Sequence, residues 1–348
     1  MNDQQLITDT VRRILQDKCT HAVVDASEAG DWAADLWQTL EDNGLTLAGI
    51  SDAIGGTGGE LADSLLVIRE AASVGAPVPL AETFMAARLC ELVGAQMPVG
   101  PVTVSNSVLN LKHQADGYRL QGLATDVPFA TNCATLVVVA SDDAGHSYLC
   151  LMPLADIEQQ VTRTMAGEPR SAMVIDCLLP KNVVFSADQD LEAQLLHLGA
   201  ATRSVMMAGA MTSILEQSVR YATERQQFGR PIAQFQAIQQ QLAVLAGEVA
   251  ACQRAADSLN DALASLNRLD IAIAKARISE AVGAATEIAH QVHGAMGYTM
   301  EHGLNLRTRR LWCWRDEYGN EGYWQQAIGR FVVSRGAENT WQTVTDAG

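Results

Sequence analysis

Between residues 187 and 345, apolar side chains recur at helical spacing over stretches far longer than an ordinary surface helix. Ile238, Leu242, Leu245, Val249 and Cys252 fall at i, i+4, i+7, i+11 and i+14, one face of a 3.6-residue period. Met207, Met211, Ile214, Ser218 and Tyr221 keep the same habit in the segment before. Ile271, Ala274, Ile278, Ala281, Ala285, Ile288 and Val292 keep it in the segment after. Stripes of this length on successive helices with short connections have to bury one another. The segment therefore reads as an antiparallel helical bundle.

Upstream the pattern changes twice. Residues 1–95 are helical by period, with Ile7, Val11 and Ile14 on one face and Trp37 and Leu40 at helical spacing. The cluster Gly55-Gly56-Thr57-Gly58-Gly59 interrupts them. It lacks the Lys-Ser/Thr of a phosphate-cradling P-loop and follows no clear strand, so it reads as a loop. Residues 96–186 hold short β-branched runs at 101–105, 135–140, 148–152, 172–177 and 183–185, punctuated by Gly, Asp, Asn and Pro. That is the pattern of a small β-barrel or sandwich. Leu136-Val137-Val138-Val139 is continuous enough to be a strand buried on both faces. The fold class is thus mainly α with a central β-domain: helical domain 1–95, β-domain 96–186, helical bundle 187–348.

Composition narrows the function. Hydrophobic residues make up 48% and charged residues 18%, ample for a large core and unlike a disordered chain. A formal charge of -16 argues against binding a phosphate backbone or an anionic membrane, so an anionic small ligand would need Arg or Lys placed locally. No apolar run approaches the roughly 20 residues that span a bilayer, and the polar N-terminus is not a signal peptide. Seven scattered cysteines without a CxxC pair fit reduced thiols and a cytoplasmic location better than disulfides or a zinc site.

The stretch with most chemistry runs from Tyr221 to Gln236. Gly229 and Pro231 stop a helix expected to begin near Met206, leaving Arg225 in its last turn beside Phe228. An arginine fork and an aromatic face can grip a diphosphate and cover an adenine, or the arginine can simply answer the helix dipole. Glu224-Arg225-Gln-Gln-Phe228-Gly229-Arg-Pro-Ile-Ala-Gln-Phe235-Gln236 resembles the signature of the acyl-CoA dehydrogenase family at the bend between two long bundle helices. Gln291-Val-His293-Gly294-Ala-Met-Gly297-Tyr298-Thr-Met-Glu301-His302 resembles that family's glycine turn after the third bundle helix. With the helix–β–helix order, the resemblance covers nearly the whole chain. It implies FAD, with the adenosine diphosphate held across a subunit interface by Arg225, Phe228, Gln236, Gln291 and Gly294. It also implies an acyl-CoA substrate, an electron-transfer flavoprotein as acceptor, and a tetramer. Glycine at 294 and 297 suits close backbone approach. His293 is expected to pack or hydrogen-bond rather than move protons, and Trp312 and Trp314 to pack against the bundle or a partner subunit.

Two parts of the family pattern are altered. The resemblance implies a Thr-Glu-Pro-x-x-Gly-Ser segment lining flavin and substrate, but Val102-Thr103-Val104-Ser105-Asn106-Ser107 stands in that neighbourhood. Asp116–Gly122 resembles the strand that follows, so the loss is a local shortening. The family's carboxylate base takes an α-proton from the thioester while a hydride leaves for the flavin. Its place past the Gly297–Tyr298 turn falls here on Tyr318, with Glu317 one residue early. One residue on a helix turns a side chain by about 100°, though a loop could still let Glu317 reach. The family's other place for a base falls near Gly199, which offers no carboxylate. Short members with a degenerate β-domain act as one partner of an α2β2 heterotetramer and are associated with sterol or other bulky acyl chains. The resemblance thus implies a heteromeric dehydrogenase subunit, with a self-sufficient enzyme using Glu317 or a flavin-free scaffold as alternatives.

Overall fold

The computed structural model describes residues 3–265, 267–299 and 302–346. They form two compact units, one of residues 3–67 and 77–198, the other of residues 68–76 and 199 onwards.

The first unit opens with helices α1 (Asp3–Lys18), α2 (His21–Ala29), α3 (Ala34–Asp42), most of α4 (Leu61–Val74) and α5 (Leu80–Val93). Val11, Trp37 and Leu40 are buried, as their spacing requires. α5 is apolar almost all round and lies inside the unit, where the Thr83 hydroxyl donates to the Val102 carbonyl at 3.1 Å. The glycine cluster is a packed loop. A side chain at Gly56 would stand 2.2 Å from the Ile50 carbonyl oxygen, and the Gly49 amide donates to the Gly58 carbonyl at 2.8 Å. Only glycine admits that approach.

Seven strands follow: β1 (Val102–Gln114), β2 (Gly117–Pro128), β3 (Thr135–Ser141), β4 (Ser147–Pro153), β5 (Gln160–Arg163), β6 (Pro169–Leu179) and β7 (Val184–Ala187). They make one mixed sheet in the order β5-β6-β2-β1-β3-β4-β7, curled round a single core to which β1, β2, β3, β4, β6 and β7 all contribute. β1 and β3 run parallel and the other neighbours antiparallel. Leu136–Ala140 are buried without a break, the two-sided burial their continuous apolar run implies.

β1 passes through residues 102–107 as strand, and only its register against β3 slips, between Ser105 and Leu109. A bulge therefore stands where the resemblance implies a loop. Thr103 and Ser105 are fully buried. The Thr103 hydroxyl donates to the Pro128 carbonyl, and the Ser105 hydroxyl accepts from the Ser107 amide. Their hydroxyls are committed within the sheet, to β2 and to β1 itself.

The second unit is the bundle. α6 (Leu191–Glu224), whose residues 191–198 belong to the first unit, begins well before Met206, because Leu191, Leu195 and Leu198 are buried at helical spacing upstream. After a hairpin of β8 (Gln226–Gln227) and β9 (Arg230–Pro231) come α7 (Gln236–Asp257), α8 (Leu259–Ala264), α9 (Arg268–His293), α10 (Gly303–Asp316), α11 (Glu321–Arg335) and α12 (Thr340–Asp346). One core gathers Met207, Met211, Ile214, Leu245, Val249, Cys252, Ile278, Ala281 and Ala285, the stripes read from the sequence. Trp314 is in that core and Trp312 packs against it, with the Arg315 guanidinium 5.1 Å from the Trp312 ring. All seven cysteines are free, and burial pushes Cys90, Cys150 and Cys252 up to about 12. No described helix is long and apolar enough to cross a membrane.

Candidate functional site

Two places in the second unit carry the chemistry singled out in the sequence. The first is the end of α6. The Arg225 amide donates to Tyr221 O and its carbonyl accepts from the Ile232 amide, both at 2.8 Å, so the β8–β9 hairpin closes on the last turn of the helix. Phe228 and Gly229 form the tip, with φ of 53° and 79°. Two positive φ values suit the right-handed twist of a tight hairpin, but a bulky L-residue there is held at a cost of about 1–2 kcal/mol. Phe228 is nevertheless 93% exposed, its ring at right angles to that of Phe235 with centres 6.1 Å apart. A strained aromatic side chain standing in solvent is poor use of a core residue and good use of a ligand contact.

Arg225 is exposed and meets no carboxylate among the described residues. Gln236 opens α7, whose N-cap Phe235 supplies no side-chain cap, so the first amides of that helix are open to an anion. Gln291 is exposed near the end of α9, and Gly294 follows at φ 59° with open space where a side chain would stand. Tyr221 and His293 join these elements, their rings stacked with centres 4.5 Å apart. His293 is 2% exposed and packs as expected. Met300 and Glu301 of the second motif lie outside the described residues. An unpaired guanidinium, an exposed aromatic face, an uncapped helix start and an open glycine turn fit the adenosine diphosphate half of FAD.

The second place is the turn between α10 and α11, where the sequence offered Glu317. Glu317 accepts from Arg203 Nε at 2.6 Å, with side-chain exposures of 14% and 1%. A carboxylate in such a pair is occupied as the counter-charge of a buried arginine. Tyr318 takes a φ of 55°, and its carbonyl accepts from Trp324 Nε1 at 3.0 Å. Its ring lies directly on Gly199, where a side chain would stand 2.0 Å from the ring. Arg203 covers the ring at 5.6 Å. The two positions at which the resemblance seeks a carboxylate are thus in contact, filled by a tyrosine ring against a bare glycine.

Sequence reasoning missed the neighbouring Lys275, which is fully buried on α9. Its ammonium donates to Arg315 O at 2.7 Å and to Trp314 O and Ser279 Oγ at 3.2 Å, closing the C-terminal end of α10. Burial pulls its pKa down to about 7 against the opposing pull of Glu317. A lone lysine in an alanine-rich stripe, Ala272 to Ala276, is the only trace it leaves in the sequence. Arg315 in turn pairs with Glu321 at the start of α11, so both sides of the turn are pinned.

A family model described as the acyl-CoA dehydrogenase N-terminal domain matches residues 1–94, and one described as the C-terminal domain matches residues 191–328. The chain belongs to the acyl-CoA dehydrogenase family. Among curated relatives, the acyl-CoA dehydrogenase IpdE2 of Mycolicibacterium smegmatis is 28% identical over 317 residues, spanning 88% of this chain and 92% of that one. The ChsE4-ChsE5 complex from Mycobacterium tuberculosis has the same fold, with a TM-score of 0.85 at 21% identity over 96% of this chain and 98% of the other. So does the Tcur3481-Tcur3483 steroid acyl-CoA dehydrogenase, solved as a G363A variant, with a TM-score of 0.86 at 22% identity over 96% and 99%. This member of an oxidoreductase family keeps the family's fold, with Tyr318 and a strand standing where the resemblance implies a base and a flavin-lining loop.

Proposed function

We propose that the chain is one subunit of a heteromeric, FAD-dependent acyl-CoA dehydrogenase, supplying the adenosine-diphosphate grip for a flavin seated mainly on a partner subunit. The observation that carries this reading is the packing of Tyr318 on Gly199 with Glu317 turned onto Arg203. It leaves no free carboxylate at either position where a base is sought. The course of β1 supports it, since the segment expected to line flavin and thioester is strand with only a bulge after Ser105.

Arg225 neutralises diphosphate charge, Phe228 covers the adenine, and Gln236, Gln291 and Gly294 complete the contact. FAD, when bound, supplies the two-electron acceptor for α,β-desaturation. Glu317 serves the fold as the counter-ion of Arg203. The base, and the groove for the acyl chain, belong to the partner. Relatives named as complexes and as a steroid dehydrogenase support a paired subunit and a bulky acyl group, and an electron-transfer flavoprotein is the fitting acceptor.

Purification of the chain alone and with a co-expressed acyl-CoA dehydrogenase tests this. The expected outcome is a colourless chain alone and a yellow, acyl-CoA-bleachable complex. A stoichiometric flavin on the isolated chain, bleached by acyl-CoA, would establish a self-sufficient enzyme instead.

A further inference from the structure

His290, His293 and His302 gather at the end of α9 between two tyrosine rings. His293 stacks on Tyr221 at 4.5 Å, meets His302 at 4.9 Å, and His302 meets Tyr221 edge-on at 6.3 Å. His290 stacks on Tyr298 at 4.3 Å. Gly297 makes the crowding possible, since a side chain there would stand 2.9 Å from His293 Cβ and 3.2 Å from His290 Nδ1.

The hydrogen bonds fix the tautomers. His293 Nδ1 lies 2.8 Å from the Ala289 carbonyl, which can only accept, so Nδ1 carries the proton and Nε2 is bare. Thr308 donates its hydroxyl to the Asn305 carbonyl, so it accepts from His290 Nε2 at 3.0 Å and leaves His290 Nδ1 bare. Both bare nitrogens are buried without a partner among the described residues. The cluster is built for neutral rings, because a proton on either nitrogen would be a buried cation with no acceptor.

We infer that His293 is a positioning residue of the dinucleotide grip: stacked on Tyr221, it fixes the end of α6, which leads into Arg225 and the hairpin tip Phe228, against the end of α9, which bears Gln291 and leads into Gly294. The inference rests on the reading of those residues as a flavin grip. Tyr221 sits one helical turn before Arg225, and His293 adjoins Gly294. The stack is therefore a side-chain contact through which one motif registers the other, with His302 edge-on to the same Tyr221 ring.

Protonation should undo it. Among the described residues, the titratable groups facing His293 are Tyr221 from α6, His290 from its own helix and His302 at the start of α10. Burial lowers the pKa of His293 and of His290, and the neighbouring histidines lower that of His293 further. The closed arrangement then holds fewer protons than an opened one, whose histidines titrate near 6.5. Acidification through that window favours opening, and raising the pH favours the closed grip.

The test is FAD retention by the co-purified complex, measured by absorbance and by equilibrium titration at about pH 7.5 and about pH 5.5. Wild type is expected to bind FAD at the higher pH and roughly tenfold more weakly at the lower. His293→Ala, which loses the stack, should bind about five- to tenfold more weakly at pH 7.5. His293→Phe keeps an aromatic face and removes the proton site, so it should restore the affinity and lose the pH dependence. Arg225→Ala is the control for the grip itself. If it leaves FAD binding unchanged, the flavin-grip reading falls and this inference with it. If Arg225→Ala releases FAD but His293→Ala and His293→Phe both follow wild type at both pH values, only the inference is overturned. Should His293→Ala fail to fold, His293→Phe still decides by its pH profile.

Discussion

Breaking one side of a buried ion pair leaves the other charge stranded, whereas replacing both with apolar groups can be nearly neutral. Arg203 and Glu317 are such a pair. Glu317→Gln is expected to lower the unfolding free energy by about 3 kcal/mol, at the lower end for a broken buried pair because Glu317 keeps some exposure. The combined Arg203→Met, Glu317→Leu variant should recover most of that loss, as read from urea midpoints. The same two proteins decide the chemistry of Glu317. A general base contributes about 10²–10⁴ in rate, so a refolded double variant whose complex keeps full turnover shows that Glu317 is structural. One that recovers stability but loses turnover by more than a hundredfold makes Glu317 the base after all. The sequence marked Glu317 as a carboxylate near the right place. It could not reveal its engagement, because Arg203 lies 114 residues earlier in the chain. The contact between Tyr318 and Gly199 was hidden for the same reason. Each residue was legible as a substitution in a family pattern, but only the folded chain presses one on the other.

At the scale of elements, the β8–β9 hairpin sets stability against binding. Phe228 at φ 53° with 93% exposure contributes strain and almost no burial, so a residue that accepts the left-handed region should relieve it. Phe228→Asn is expected to raise stability by about 1 kcal/mol, measured by thermal unfolding, while FAD retention by the complex falls. A loss of both stability and retention would mean that Phe228 packs within the chain. The helices were the most legible part of the fold. Met211, Leu245, Val249, Ile278 and Ala285 repeat at 3.6 residues and lie in one core. The sheet was legible in its strands but not in their order. Strand runs carry period and propensity, whereas the neighbour order β1-β3 with a parallel pairing depends on contacts distant in sequence. The start of α6 was read too late because Leu191 and Leu195 lie beyond a polar run, Ala187–Asp190, that resembles a loop ending farther on.

At the scale of the whole molecule, the question is which assembly the flavin stabilises. A ligand that binds only the folded state adds RT ln(1 + [L]/Kd), about 2.7 kcal/mol at a hundredfold excess over Kd. A chain that holds only the adenosine-diphosphate half of the dinucleotide forfeits the contacts to the isoalloxazine. Its own affinity for FAD must then be weak, and FAD at a concentration saturating the complex should leave its melting temperature almost unchanged. The complex, with both halves of the site, should gain the full increment. ADP alone separates the contributions further, because it reports on Arg225, Phe228 and Gln291 without the flavin ring. Millimolar ADP should compete with FAD for the complex, and Arg225→Ala should weaken that competition. The acidic surface, with its charge of -16, sharpens the contrast. Long-range repulsion of an anionic ligand is screened by salt beyond about 8–10 Å, so a guanidinium gripping diphosphate directly should stay effective in moderate salt. If FAD instead raises the melting temperature of the isolated chain as much as that of the complex, the whole dinucleotide is held by one polypeptide, and the division of labour between subunits is wrong.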